Sequence, residues 1–147
     1  MEYKIDSIDP SEYLEVVGVW EASVRATHHF LKPEDIVFYK PLILNQYLHL
    51  VKLACVRGAG KKILGFIGVA ESKVEMLFVH PDAFGKGIGR CLMDYAMKEL
   101  NVNLVDVNED NQRAVGFYQH LGFEVVNRSW EDQQGNPYPI LHMQLRK

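Results

Sequence analysis

Apolar positions near the start of the chain change from an alternating pattern to a helical one. Residues 2–6 alternate polar and apolar side chains, which predicts a short strand. A break at residues 9–11 follows, and Ser11 offers an N-cap for the next element. That element is predicted to be a helix, with its apolar stripe formed by Leu14, Val17, Trp20 and Val24.

Two prolines and three strand-like runs mark the next part of the chain. Proline suits the first turn of a helix but not its interior, so Pro33 and Pro41 are expected to divide residues 32–50 into short helical pieces. Runs rich in β-branched residues then follow, separated by short turn-like spacers, which favours an antiparallel meander. The three runs are residues 50–56, 62–70 and 74–79.

The C-terminal half combines two strand–helix units with a hairpin. After His80 and Pro81 the apolar period changes from two to 3.6, which predicts a helix introduced by a glycine-rich segment. The element order β-α-α-β-β-β-α-β-α-β-β is typical of an α/β fold with one mixed sheet flanked by helices, and we expect residues 1–147 to form a single domain. The remaining predicted elements are a strand at 103–107, a helix at 111–121 and a hairpin from 123–130 and 138–145.

Composition and charge narrow the functional classes. A chain of 147 residues with 48% hydrophobic and 24% charged residues is typical of one folded globular domain. The net charge of -3 and the scattered basic residues argue against binding to nucleic acid. The N-terminus lacks a signal-peptide pattern and the longest apolar run, residues 63–70, is too short to span a bilayer, so we expect a cytoplasmic protein without a membrane partner.

The cysteines and histidines predict no metal site. Cys55 and Cys91 lie far apart, without a second Cys or His at metal-ligand spacing, and both fit small core positions. The adjacent His28 and His29 project in divergent directions on a helix or a strand. We therefore expect no metal cofactor.

The strongest chemical feature is a glycine-rich segment directly before an amphipathic helix. Gly85, Gly87 and Gly89 let consecutive main-chain N–H groups face one ligand, and the helix N-terminus adds roughly half a positive charge. The pattern predicts a pyrophosphate site, with a glycine turn used only for packing as the alternative. A Rossmann fingerprint needs glycine where Arg90 stands, and a P-loop needs Ser or Thr after Lys86, where this chain has Gly87.

Two blocks of sequence resemble the GNAT superfamily of N-acetyltransferases. The first, residues 76–90, reads MLFVHPDAFGKGIGR and is similar to that family's acetyl-CoA pyrophosphate loop. The second, residues 111–123, reads NQRAVGFYQHLGF and is similar to its Asn-x-x-Ala-x-x-Phe-Tyr…Gly-Phe helix. Phe84 departs from the family pattern, which usually has Arg or Gln at that position and uses it to organise the loop.

The resemblance implies an acetyl-CoA site between two strands. Members of the family have a mixed sheet, here of about seven strands with about four helices, in which two central parallel strands splay apart. The corresponding strands would be residues 74–79 and 103–107, with the N–H of Leu77 directed at the thioester carbonyl. Such a donor is typically worth about 3 kcal/mol in the transition state. The implied cofactor contacts are Leu77, Phe78, Val79, Phe84, Gly85, Lys86, Gly87, Ile88, Gly89, Arg90, Asn108 and Asn111.

Catalytic roles are expected for Tyr118 and Glu75. Tyr118 would be the general acid that protonates the departing thiolate, and a core aromatic residue is its alternative. An attacking lysine-like amine has a pKa of about 10.4 in water, so a base or a water chain is needed, and Glu75 is the candidate. Its alternative is a solvated charge on a strand, and the alternative for Asn108 is a strand-end cap.

The acceptor is expected at the first two helices and the final hairpin. Arg25, His28 and His29 are the candidate contacts within residues 25–31, with residues 132–140 as the second region. A satisfied polar residue at a helix end is the alternative for His28. Both regions look like a bacterial subgroup to which protein-lysine acetylation has been assigned, although other members acetylate antibiotics, polyamines or amino acids.

The expected function is therefore transfer of acetyl from acetyl-CoA to a primary amine of a protein or small molecule. Two other functions stay open: a non-catalytic acyl-CoA sensor, which Phe84 suggests, and a protein-interaction domain whose loop binds another phosphate or none. A monomer and a homodimer are both consistent with the pattern, because the final hairpin offers an edge for pairing.

Overall fold

A seven-stranded mixed sheet with helices on both faces forms the fold. The computed structural model describes residues 3–29 and 31–146, and the strand order is β1-β2-β3-β4-β5-β7-β6. This confirms the α/β architecture and the numbers of strands and helices expected. The strands are β1 (Ile5–Asp6), β2 (Lys52–Arg57), β3 (Ile63–Ala70), β4 (Lys73–Val79), β5 (Leu104–Asn108), β6 (Phe123–Ser129) and β7 (Ile140–Leu145). The helices are α1 (Tyr13–Thr27), α2 (Pro33–Asn45), α3 (Ile88–Glu99) and α4 (Gln112–His120).

The two central parallel strands separate after a short paired stretch. Strands β1 to β4 form an antiparallel meander, as predicted. β4 and β5 run parallel but pair only at Lys73 with Leu104 and at Val74 with Val105. Beyond those pairs β5 continues to pair with β7, on its other side, as far as Asn108. The splayed strands implied by the family resemblance are therefore present.

A β-bulge in β4 lies at the point where the two strands separate. Gly68 of β3 pairs with Met76 while the next residue, Val69, pairs with Val74, so Glu75 is an extra residue in β4. Val74 packs into the core on the α3 side of the sheet, whereas Met76 packs into the core on the α1 side. In a regular strand residues two apart share a face. The bulge therefore changes which side chains of β4 face each helix layer.

Each face of the sheet has its own apolar core. On one face α3 and α4 pack on the sheet through Leu92, Met93 and Tyr118. On the other face α1 and α2 pack through Trp20 and Ile43. The layers fix α3 and α4 on one side of the gap between β4 and β5, and α1 and α2 on the other.

The start of α1 differs from the prediction. Asp9, not Ser11, is the capping residue: its carboxylate accepts a hydrogen bond from the Ser11 N–H at 2.9 Å and begins a 3-10 turn at Pro10–Glu12. Aspartate competes well with serine as a cap because its charged oxygens are strong acceptors. The helix then starts at Tyr13, and Leu14 is 73% exposed. The predicted strand at residues 2–6 is described as Ile5–Asp6, and Glu2 lies outside the described residues.

The prediction that Pro41 divides the second helical region is wrong. α2 runs without interruption from Pro33 to Asn45 and contains Pro41 in its interior. Proline leaves the carbonyl four residues earlier without its helical partner, here that of Val37. Val37 and Pro41 are both exposed, so water can satisfy that carbonyl, while Ile36 and Ile43 on the inner face hold the helix to the core.

Candidate active site

The loop between β4 and α3 presents a row of free main-chain donors. Gly85 and Gly87 have φ values of 75° and 80°, in the left-handed region that favours glycine. Among the described residues, no group accepts a hydrogen bond from the N–H groups of residues 85–90. The carbonyl of Lys86 accepts a hydrogen bond from the Tyr3 hydroxyl at 2.9 Å. The loop therefore carries partial positive charge at the N-terminus of the twelve-residue helix α3.

Main-chain groups of β4 face the gap between the splayed strands. The N–H of His80 donates to the carbonyl of Leu64 on β3 at 2.7 Å. Successive residues of an antiparallel strand direct their main-chain groups to opposite sides, so Phe78 also faces β3. Leu77 and Val79 must then direct their N–H and C=O groups toward the gap.

The other wall of the gap follows from the same alternation. The N–H of Glu109 donates to the carbonyl of Pro139 at 2.9 Å, on the β7 side of β5. Val107 therefore also faces β7, and the main-chain groups of Asp106 and Asn108 face the gap. The Asn108 carbonyl accepts a hydrogen bond from the Asn111 N–H at 3.0 Å, and the short β4–β5 pairing uses the Asp106 N–H. The groups left to face the opening are those of Leu77 and Val79 on β4, with the Asp106 carbonyl and the Asn108 N–H on β5. This arrangement suits an extended ligand that itself carries amides.

A cleft of about 490 Å³ joins the loop and the gap. Its walls come from the loop after β4, from β4 and β5, from α4, and from the end of α1. Most of the residues predicted from the sequence are brought together here. They are Glu75, Leu77, Phe78, Val79, Phe84, Gly85, Gly87, Ile88, Gly89, Arg90, Asn108, Asn111, Tyr118 and His28.

Three predicted residues do not line the cleft. Lys86 is exposed, and its contact is made by the main-chain carbonyl, which accepts the hydrogen bond from Tyr3. Arg25 forms an ion pair with Glu21 at 2.9 Å, one helical turn earlier. His29 is exposed, and Phe30, within the same predicted segment, lies outside the described residues.

Tyr118 lines the cleft from α4. Its ring packs against those of Phe117 and Phe123, at centroid distances of 5.2 Å and 6.0 Å. The residue is 6% exposed, and among the described residues no group hydrogen bonds to its hydroxyl. Burial raises the pKa of Tyr118, so the phenol keeps its proton at neutral pH.

His28 is a neutral imidazole that joins α1 to α4. The Thr27 hydroxyl donates to the Ser23 carbonyl at 2.8 Å, so the 2.7 Å contact between Thr27 Oγ1 and His28 Nδ1 has the imidazole as donor. His28 Nε2 then accepts from Asn111 Nδ2 at 3.3 Å. Burial, assisted by the nearby His29, lowers the pKa of His28 to about 4. This supports the structural alternative for His28, although the ring also lines the cleft.

The two asparagines of the cleft are helix- and turn-capping residues. Asn111 is the N-cap of α4, and its Oδ1 accepts from the Ala114 N–H at 3.2 Å. Asn108 Oδ1 accepts from the Asp110 N–H at 2.9 Å, as the capping alternative predicted. Both side chains fix the turn that places α4, and with it Tyr118, beside the gap.

Arg113 was not predicted and lines the cleft beside Phe84. Its guanidinium carbon lies 5.5 Å from the centroid of the Phe84 ring, within the range of a cation–π contact. A positive charge at the mouth of the cleft is therefore supplied by α4 instead of position 84. The signal was available, because Arg113 lies inside the second resembling block.

A second cavity, of about 660 Å³, lies beneath the sheet on the α2 side. Glu75, Met76 and Asp106 border both this cavity and the cleft, so the two spaces meet where β4 and β5 separate. Side chains of α2 and of the loop after β6 form the outer wall. Its floor contains Lys73, Asp106, Ser129 and His142, which sequence reasoning missed. Asp106 and His142 each occupy the middle of a strand that is otherwise mostly apolar, and this was the available signal.

Two other properties concern the whole described chain. Within residues 3–29 and 31–146, no three His, Cys, Asp or Glu side chains are grouped so that they could hold a metal ion. None of the described helices combines the length and the apolar character that crossing a membrane requires.

Known proteins share both the sequence pattern and this architecture. A model of the acetyltransferase (GNAT) domain matches residues 50–125. The chain is 36% identical to the peptidyl-lysine N-acetyltransferase YjaB of Escherichia coli (strain K12), over 88% of this chain and 87% of that protein. The solution structure of apo-form YjaB from Escherichia coli is similar with a TM-score of 0.86 and 33% identity, covering 98% of this chain and 97% of the other. The PaiA N-acetyltransferase of Thermoplasma acidophilum, in complex with coenzyme A, has a TM-score of 0.69 at 19% identity, covering 98% and 99%; this likeness concerns the fold alone.

Proposed function

This chain belongs to the GNAT family of acetyltransferases, and from that membership we propose that it transfers acetyl from acetyl-CoA to a primary amine by direct attack in a ternary complex. The observation that carries the proposal is the row of unpaired N–H groups at residues 85–90, at the mouth of a gap between two strand edges. We further propose that residues 1–147 form one such domain, in line with the single continuous sheet.

The loop and the gap fit the chemical groups of acetyl-CoA. Main-chain donors at a helix N-terminus suit a pyrophosphate, and Arg113 adds a positive charge beside them. The unpaired edges of β4 and β5 suit the two amides of a pantetheine arm. Acetyl-CoA, when bound, supplies a thioester whose acetyl carbon is open to attack by an amine.

Leu77 is the proposed donor to the carbonyl oxygen of the acetyl group. Its N–H faces the gap two residues after the bulge at Glu75, and both residues line the cleft. A fixed donor at an oxygen that gains negative charge stabilises the transition state by about 3 kcal/mol. Val79, two residues nearer the loop, directs its main chain to the same side and would hold the arm.

Tyr118 is the proposed general acid for the departing sulfur. Because burial raises its pKa, the phenol keeps its proton near pH 7, where it can donate that proton to the departing thiolate. Because no described residue hydrogen bonds to the hydroxyl, that proton is free to meet a thiolate in the cleft. Phe117 and Phe123 hold the ring in place.

Glu75 is the proposed acceptor of a proton from the attacking nitrogen as the C–N bond forms. The bulge projects this residue at the junction of the cleft and the second cavity, and its carboxylate lies 3.6 Å from the ammonium of Lys73. An amine entering from the second cavity would pass Glu75 before it reaches the acetyl group. This position supports the role that the sequence suggested.

A lysine side chain of a protein is the acceptor we propose. The similar protein YjaB is named a peptidyl-lysine N-acetyltransferase. Four carboxylates and one ammonium line the second cavity, so its field attracts a cationic amine. Apolar side chains in the same wall can pack against the methylenes of such an amine. The carboxylates are Glu75, Asp106, Glu131 and Asp132, and the apolar residues include Leu50, Val51, Met76 and Ile140.

Release of thiol from acetyl-CoA in the presence of different amines tests the proposed function. We expect turnover with lysine peptides that carry a blocked N-terminus, and slower turnover with free lysine, spermidine and an aminoglycoside. Mass spectrometry of the product peptide should show one acetyl group per lysine.

The same assay separates the alternatives. Binding of acetyl-CoA without thiol release from any amine would contradict the proposal and indicate an acyl-CoA sensor. Absence of acetyl-CoA and coenzyme A binding in calorimetry would indicate an interaction domain instead. Turnover confined to a small amine would keep the reaction and overturn the protein acceptor.

A further inference from the structure

Four polar side chains form a continuous hydrogen-bonded row on the floor of the second cavity. Lys73 Nζ donates to Asp106 Oδ2 at 2.9 Å, and His142 Nδ1 lies 2.7 Å from Asp106 Oδ1. The Ser129 hydroxyl lies 2.6 Å from His142 Nε2. The row crosses β4, β5, β7 and β6 on one face of the sheet.

Asp106 fixes the proton positions along this row. An ionised carboxylate only accepts, so His142 Nδ1 carries the proton that is donated to it. The lone pair of His142 Nε2 then accepts the hydrogen bond from Ser129. This is the tautomer in which a histidine takes up a proton from a substrate, and the Ser129 oxygen keeps lone pairs for a donor in the cavity.

The row adjoins Glu75, whose carboxylate lies 3.6 Å from Lys73 Nζ. Asp106 borders both the cleft and the second cavity, while Ser129 and His142 line the second cavity. An ammonium group that approaches Glu75 through the second cavity therefore passes this floor. Hydrogen bonding to Asp106 raises the pKa of Lys73, so the Lys73 amine stays protonated and takes no proton itself.

We propose that His142, oriented by Asp106, is the base that removes the first proton from the acceptor ammonium, directly or through the Ser129 hydroxyl. The inference rests on the acetyl transfer proposed above. An N–H bond of the ammonium breaks, its electron pair stays on nitrogen, and an N–H bond forms at His142 Nε2. When Ser129 takes part, it receives one proton and passes on its own.

The proton balance of the reaction leaves one proton for such a group to accept. Converting an alkylammonium and a thioester to an amide and a thiol removes two protons from nitrogen and returns one to sulfur. Glu75 takes the second proton while Tyr118 gives its own proton to the sulfur, and return of the Glu75 proton through water restores the phenol. The first proton is left for His142. The imidazolium then gives its proton to water, because the second cavity opens to solvent and the His142 side chain is 31% exposed.

The pH dependence of kcat/KM gives the test, with a lysine peptide as acceptor. An imidazole changes charge between about pH 5 and 8, whereas an alkylammonium has a pKa of about 10.4. We expect His142→Gln to lower kcat/KM about 100-fold at pH 7, and the deficit to shrink as the pH approaches 10 and the amine loses its proton unaided.

The other titratable groups of the cavity that face His142 are Lys73 and Glu75 of β4, Asp106 of β5, Glu131 and Asp132 of the loop after β6, Tyr39 of α2 and Tyr47 of the turn that follows it.

A second acceptor separates a base from a merely structural residue. The same peptide with an aminooxy group in place of the lysine amine is already neutral at pH 7 and needs no first deprotonation. His142→Gln should acetylate this peptide at a rate within about twofold of wild type. Asp106→Asn should show the same pattern more weakly, as expected of a positioning residue, and it provides a second variant if the first unfolds.

An exposed histidine of α4, His120, provides the matched control. His120→Gln makes the same exchange at an exposed position of α4 that lines neither space, and it should leave the pH profile unchanged. An equal loss at every pH and with both peptides, or no loss, would overturn the role of His142 while leaving the acetyl transfer intact. No turnover by the wild-type protein with any amine would overturn both proposals.

Discussion

Tyr118 and His28 are both buried beside the same cleft, and burial moves their pKa values in opposite directions. The pKa of Tyr118 rises because the charged phenolate is disfavoured, and that of His28 falls to about 4 because the imidazolium is disfavoured. Both side chains are therefore neutral near pH 7. The donors that face the gap are then mainly main-chain N–H groups, which suits binding of an uncharged thioester.

Replacement of Tyr118 by phenylalanine tests the proposed acid. Tyr118→Phe keeps the ring contacts with Phe117 and Phe123 and removes a hydroxyl to which no described residue hydrogen bonds. We expect kcat to fall about 100-fold, because the sulfur leaves without a proton donor, while the Kd for acetyl-CoA changes by less than about twofold. Thiol-release kinetics and calorimetry measure the two quantities.

Tyr95 provides the matched control for that exchange. It is a partly buried tyrosine of α3 that packs on the same core without lining the cleft. Tyr95→Phe should leave kcat unchanged. A Tyr118→Phe enzyme that turns over at the wild-type rate would remove Tyr118 from the mechanism.

At the scale of elements, the hydrophobic pattern predicted the order of strands and helices but not where their regularity fails. The hydrophobic pattern places β4 and β5 correctly, because both strands are rich in apolar and β-branched residues. The pattern did not predict the bulge at Glu75. A bulge is an extra residue relative to the partner strand, here β3, and the sequence of β4 alone does not show how the two strands pair. Pro41 was misjudged for a related reason: packing of Ile36 and Ile43 outweighs the local cost of proline.

The turn into α3 allows a test at this scale. Gly87 is the N-cap of α3 and has a φ of 80°, which costs a residue with a Cβ about 1 to 2 kcal/mol. In Gly87→Ala the loop is expected to relax and to turn its N–H groups away from one another. The Kd for coenzyme A should rise about tenfold, as measured by calorimetry.

Gly18→Ala is the control for that substitution. Gly18 lies inside α1 and does not line the cleft, and apart from its chain neighbours and the nearby backbone of α1 itself, no atom lies within 4 Å of an added Cβ. Alanine there should leave the Kd for coenzyme A unchanged and raise the free energy of unfolding by about 1 kcal/mol. Wild-type affinity in Gly87→Ala would show that the loop conformation does not determine phosphate binding.

At the scale of the whole molecule, the cleft and the second cavity meet between the central strands of one sheet, and together they form the candidate site. The cleft could be predicted because its donors follow each other in sequence, as Gly85 and Gly87 do. The arrangement on the floor of the second cavity could not be predicted, because Asp106, Ser129 and His142 come from three strands that only the sheet order brings together. The sequence showed only that Asp106 and His142 are polar residues within mostly apolar strands. Arg25 was expected near the acceptor, but the helix turns it toward Glu21.

An amide chemical-shift titration of the isotope-labelled protein with coenzyme A and with acetyl-CoA tests the central claim most directly. Both ligands should shift the amide signals of residues 85–90, where the unpaired donors meet the pyrophosphate. The Leu77 amide should respond differently to the two ligands, because only acetyl-CoA carries a carbonyl oxygen for it to bind. If the signals of residues 85–90 stay in place at saturating ligand, the loop does not bind the pyrophosphate.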